Sequence, residues 1–133
     1  MKIAICASMT FAKEMIDTKV KLEKLGHEVE IPKNTEKFAR GDVSVEDKWE
    51  KIEVDPLKVY FNEIKNSDAI LVLNHDKNDI KGYIGGNALI EMGFAYVLSK
   101  KIFLLNQIPK MAYTDEIESM RPIVINHDLN RIK

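Results

Sequence analysis

The sequence predicts an α/β fold, a single doubly wound domain of the flavodoxin or Rossmann-like kind around a five-stranded parallel sheet. Three observations carry this. Short apolar, β-branched runs without polar alternation recur along the chain, as strands buried on both faces require. Segments with helical apolar spacing separate them, and strand-helix alternation of this kind implies parallel βαβ units with right-handed crossovers. A chain of 133 residues has room for one well-buried core, so residues 1–133 are expected to form one domain.

The elements follow in order. KIAICA, residues 2–7, is the first strand. Thr10 can cap a helix over 11–25, where Phe11, Met15, Ile16, Leu22 and Leu25 recur at helical spacing and Gly26 gives a stop. HEVEIP is the second strand. Residues 33–54 are charge-rich, with Phe38, Val43, Val45 and Trp49 as apolar anchors, and read as a partly helical excursion over one end of the sheet. Asp55-Pro56 opens the next helix, with Leu57, Phe61 and Ile64 on one stripe. AILVLN, residues 69–74, is the third strand, followed by the polar loop HDKNDIKG. A helix opened by Gly85-Gly86 comes next, then the strand KIFLLN, a short acidic helix near 114–120 and the last strand, PIVIN.

Charge and composition narrow the function classes. Twenty basic residues stand against 21 acidic ones, so no global field gathers nucleic acid polymers or an anionic membrane. One cysteine, Cys6, cannot form an intramolecular disulfide and reads as a core thiol in a reducing compartment, which points to the cytoplasm. The start superficially resembles a signal peptide, but its apolar run passes directly into charged helical sequence and reads as a strand. The apolar stretch at 82–99 is interrupted by Gly85, Gly86, Asn87 and Glu91 and is shorter than a membrane span. Cys6, His27, His75 and His127 show no metal-ligand spacing, so neither metal nor cofactor is expected.

Ligands of doubly wound folds bind beyond the carboxyl ends of the strands, which singles out the loops after strands one, three and four and the start of the Gly85-Gly86 helix. Ser8, Met9 and Thr10 lie where a helix N-terminus favours an anion, although simple capping by Thr10 is the plainer reading, and no GxGxxG or GxxxxGK[ST] motif is present. Gly85 and Gly86 allow close backbone approach to a ligand, with Asn87 as a possible cap. Glu91 lies one turn further on, the single charge in GYIGGNALIEMGFAYVLS. Its apolar neighbours leave little polar face, so it is either a stray surface carboxylate or a functional one. Asp76 and Asp79, in the loop that follows Asn74, read as a solvated turn unless Glu91 needs a second carboxylate.

IAICASMTF, SDAILVLN, GGNALIEMGFAYVLSKKIFLLN and PIVINHDL together resemble the nucleoside 2-deoxyribosyltransferase family and its relative, 2'-deoxynucleoside 5'-phosphate N-hydrolase. The most specific element is Gly-x-x-x-x-Glu-x-Gly-x-Ala, met by Gly86, Glu91, Gly93 and Ala95. The resemblance implies that Glu91 is a nucleophile in N-glycosidic bond cleavage or transfer on a nucleoside or nucleoside 5'-monophosphate. It implies further that the Ser8 loop holds the 5' end of the sugar or its phosphate, that Asn74 contacts substrate, and that Gly85, Gly86 and Asn87 border the sugar and phosphate. It also implies a homo-oligomer in which a neighbour's C-terminal segment, with Asn126, His127 and Asp128 as candidates, completes the site. Two positions depart from the family pattern: Tyr60 and Gly85 stand where aspartates are usual. Tyr60 could still position substrate, and Asp76 or Asp79 could serve as the missing acid. The alternative is a nucleotide-binding module of the same fold without catalysis; a scaffold without a ligand would leave Glu91 without a role.

Overall fold

The structure, a computed structural model, describes residues 1–41 and 55–133. The expected excursion over 33–54 falls outside the described residues from 42 onward. Five strands form one parallel sheet: β1 (Lys2–Cys6), β2 (Glu28–Glu30), β3 (Ala69–Val72), β4 (Lys101–Leu104) and β5 (Ile123–Val124), in the spatial order β2-β1-β3-β4-β5. The predicted α/β doubly wound class is the observed one.

Successive strand side chains point to opposite faces, and this divides the core in two. Ile3, Ile5, Leu71, Leu73, Phe103 and Leu105 face one side, where Met15 and Leu22 of helix α1 (Ala12–Lys24) and Ile132 of the C-terminal tail cover them. Ala4, Cys6, Ile70, Val72, Ile102 and Leu104 face the other. There α3 (Pro56–Lys65) supplies Tyr60 and Ile64, α4 (Gly86–Val97) supplies Ala88, Met92 and Ala95, and α5 (Thr114–Ser119) supplies Ile117. A short helix α2 (Thr35–Arg40) follows β2 and ends at Gly41, whose φ of +79° is left-handed.

Local chemistry moves some boundaries. A 3-10 turn over Met9–Phe11 precedes α1, and its cap is Ser8, not Thr10. The Ser8 hydroxyl accepts from the Thr10 N-H at 3.4 Å, and the Phe11 N-H bonds the Ser8 carbonyl at 2.9 Å. Asp55 caps α3 as expected, accepting from the Lys58 N-H at 3.4 Å ahead of Pro56. Gly85 caps α4, so Asn87 lies in the exposed first turn and is not the cap. The last strand ends early because Asn126 and His127 turn to φ 49° and 64°, out of the extended region.

Candidate functional site

The connection from β1 leads to β2 on one side of the sheet, while that from β3 leads to β4 on the other. The carboxyl ends of β1 and β3, where strand order reverses, are therefore the edge at which doubly wound folds bind ligands. The Ser8 turn and the 73–85 loop meet at this edge, where Lys77 joins them by donating to Ser8 Oγ at 3.2 Å. Because Ser8 Oγ also accepts from the Thr10 N-H, its own proton is directed to Thr10 Oγ1, 2.8 Å away. The Lys77 ammonium lies 5.4 Å from the centroid of the Tyr83 ring, within cation-π range. Tyr83 in turn rests beside Gly85: a Cβ there would meet the ring at 3.3 Å. Ser8, Lys77, Tyr83 and Gly85 thus link the Ser8 turn to the N-terminus of α4.

The buried residues of α4 are Ala88, Glu91, Met92 and Ala95, at spacings of three, four and seven from the first. Glu91 thus occupies a core position of the helix and is 8% exposed. Burial pushes its carboxyl up to about 8, against the opposing pull of a hydrogen bond from the Cys6 thiol. Cys6, fully buried at the end of β1, is itself pushed well above the usual thiol range by burial and then by the Glu91 charge. The result is a carboxyl that is mostly neutral near pH 7, with the thiol of the neighbouring strand as its hydrogen-bond partner.

The other expected site residues divide into groups. Ser8, Met9 and Thr10 lie on or beside the turn after β1, and Gly85, Gly86 and Asn87 at the start of α4. Two of the expected substrate contacts are buried and bonded within the chain. Tyr60 is 4% exposed, and its hydroxyl lies between the carbonyls of Ile5 and Glu30, tying α3 to β1 and β2. Asn74 is fully buried: its amide donates to the carbonyls of Gly82, Asn106 and Gln107, and its Oδ1 accepts the Asn106 N-H at 2.9 Å. Its donors and acceptor are used in holding the loops beyond β3 and β4.

Asp76 and Asp79, expected as candidate acids for the departing base, stand in the loop after β3. Asp76 accepts the Gly82 N-H at 2.9 Å. Asn78 and Asp79 both have positive φ, at 53° and 61°, between the mutually bonded Lys77 and Ile80. This is the geometry of a two-residue hairpin turn, which Asn and Asp tolerate. Asn126 is exposed at the end of β5, beyond the strand.

Three features escaped sequence reasoning: Lys77, Cys6 as the partner of Glu91, and Gly82. Gly82 has φ +69°, and a Cβ there would lie 2.5 Å from the Gln107 carbonyl oxygen. A Lys-Asn-Asp-Ile hairpin signal was present in the sequence and could have fixed the backbone at Lys77. A separate group lies across the same edge, where the His75 ring meets Phe11 at 5.2 Å and His127 at 6.2 Å. Burial lowers the His75 imidazole, and its buried Nε2 has no hydrogen-bond partner among the described residues. His127 Nε2 lies 2.7 Å from Asn106 Oδ1.

The fold has a solved counterpart. The chain is similar to the structure of the CMP N-glycosidase BcmB from Clostridium botulinum, with a TM-score of 0.55 and 19% identity, over 95% of this chain and 90% of that one. At that identity the likeness is one of fold. No protein-family model and no curated protein matches the chain. Among the described residues no group of three or more His, Cys, Asp or Glu could hold a metal ion, and no helix is long and apolar enough to cross a membrane.

Proposed function

We propose that this chain cleaves the N-glycosidic bond of a nucleoside or nucleotide, with Glu91 as the group that captures the anomeric carbon. The observation that carries the reading is the placement of Glu91 on the buried stripe of a helix that starts at the ligand edge of the sheet. A carboxylate enclosed there stabilises the cationic sugar of the transition state far better than one in water. The fold likeness to a CMP N-glycosidase supports the same chemistry.

In the proposed reaction the ionised Glu91 oxygen attacks C1' as the bond from C1' to the base nitrogen breaks. The bonding pair leaves with the base, which takes a proton from solvent. Water then attacks C1', releases the sugar and returns Glu91 to its carboxylate; an incoming base in place of water would give transfer. Because burial holds Glu91 near 8, kcat/KM should rise with pH up to about 8 and level off above it.

The test is base release followed by chromatography across deoxy- and ribonucleosides and their 5'-monophosphates. Release is expected with at least one substrate, lost in Glu91→Gln and retained in Asp76→Asn and Asp79→Asn. Saturable nucleotide binding with no base release from any substrate would overturn the reading in favour of a non-catalytic nucleotide-binding module.

A further inference from the structure

His75 stands where three segments of the carboxyl edge meet. Its ring meets Phe11, in the turn after β1, edge to face at 5.2 Å, and His127, beyond the end of β5, at 6.2 Å. His127 is itself held in place: its N-H bonds the Leu105 carbonyl at 3.0 Å, and its ring lies against Asn106. Because Asn106 Nδ2 donates to the Asn74 carbonyl at 3.0 Å, Asn106 Oδ1 faces His127 as an acceptor, which puts the His127 proton on Nε2. The Asn74 and Asn106 amides thereby tie the tail to the loop that carries His75.

The His75 ring is half-buried, and its buried Nε2 has no hydrogen-bond partner among the described residues. A neutral imidazole can leave that nitrogen unprotonated. An imidazolium carries protons on both ring nitrogens, so the buried one would become a charged donor without an acceptor. Three charged or titratable groups act on the ring from the segments around it. Burial holds the imidazole below its ordinary value of 6.5; the Glu14 carboxylate of α1 pulls the other way, His127 of the tail adds to the depression, and neighbouring Asp76 opposes it. Burial wins.

We propose that His75 is an acid-sensitive clasp across the ligand edge: as a neutral ring it holds the 73–85 loop against the Phe11 turn, and on binding a second ring proton it turns out to water and frees that turn. The proton comes from solvent, and the released segments are the turn that carries Ser8 and the loop that carries Lys77. The inference does not depend on the reaction proposed for Glu91.

The sign follows from which form is held. Since the closed clasp keeps His75 neutral, its contribution is complete above about pH 6.5 and is lost as pH falls below that value. Glu91 runs the opposite way, because burial makes its protonated form the favoured one, so loosening in acid does not originate there.

Amide hydrogen exchange at pH 7.5 and 5.5, corrected for the intrinsic effect of pH, tests the clasp. The bonded amides of Phe11, Lys77, Ile80 and Gly82 should lose protection several-fold at the lower pH, while those of β3 and β4 keep theirs. One pH unit below the ordinary imidazole value sets a ceiling of about 10-fold on that loss. His75→Phe keeps a ring against Phe11 and has no titrating nitrogen, so its protection should be the same at both pH values. Titration of the His75 ring followed by NMR needs no substitution there: its midpoint should lie below the ordinary value and rise in His127→Gln, which removes a like charge and keeps a donor for Asn106. Equal protection of the parent at the two pH values, the same acid loss in His75→Phe, or a His75 midpoint at or above the ordinary value would overturn the proposal.

Discussion

At Glu91, packing and charge oppose each other, and the pH dependence of stability should show it. The folded carboxyl titrates near 8 and an ordinary one near 4.5, so between those values the native state holds a proton that the unfolded chain has lost. Its contribution is therefore full below about pH 4.5, declines as pH rises to about 8, and is level above. A separation of about 3.5 pH units at about 1.4 kcal/mol each places the loss on the order of 5 kcal/mol. Glu91→Gln should thus be several kcal/mol more stable than the parent at pH 9 and nearly equal to it at pH 5, as read by urea unfolding at both. An equal difference at the two pH values would mean that ionisation is not the cause. Cys6→Ala removes the hydrogen bond that favours the carboxylate, so the rising limb of kcat/KM should move to higher pH, and Cys6→Ser should move it back.

Between elements, the decisive contacts lie where β3 and β4 give way to loops. The Asn74 amide replaces the strand ladder just where the backbone stops supplying it, and the Gly82 carbonyl is one of its acceptors. Asn74→Ala would leave several buried backbone groups without partners, a loss on the order of 3 kcal/mol or more. Gly82→Ala combines a left-handed φ with a 2.5 Å approach to the Gln107 carbonyl, and should cost on the order of 2–4 kcal/mol. Thermal unfolding of both variants checks these values; parent-like melting of Gly82→Ala would show that the loop can move away.

Over the whole molecule, the two faces of the sheet are closed by different means. One is covered by α3, α4 and α5; the other depends on α1 and on the tail, where Ile132 is 3% exposed. Ile132→Ala should cost roughly 3 kcal/mol, as a large-to-small change in a core does. A much smaller loss by calorimetry would show that the tail is not part of the core. The same arrangement separates the titratable groups, because strand alternation puts Cys6 and Glu91 on one side of the sheet and Leu73, which leads to His75, on the other.

The five strands, their parallel direction and the helix bearing Glu91 were legible in the sequence because periodicity and caps are local: KIAIC, AILV and KIFL announce burial on both faces within a few residues. That Glu91 is the single charge in an apolar helix was legible for the same reason, but its burial was not. The partners were not. Cys6 meets Glu91, Lys77 meets Ser8 and the Tyr60 hydroxyl meets Ile5 only because the sheet lays distant segments side by side in one register, and no local pattern encodes that proximity. The same polar residue types that suggested substrate contacts at Asn74 and acids at Asp76 and Asp79 also serve loop ends, where buried backbone groups must find partners. The sequence by itself determined the fold class and singled out Glu91; tertiary structure decided that this carboxylate is enclosed and what surrounds it, because both depend on long-range contacts.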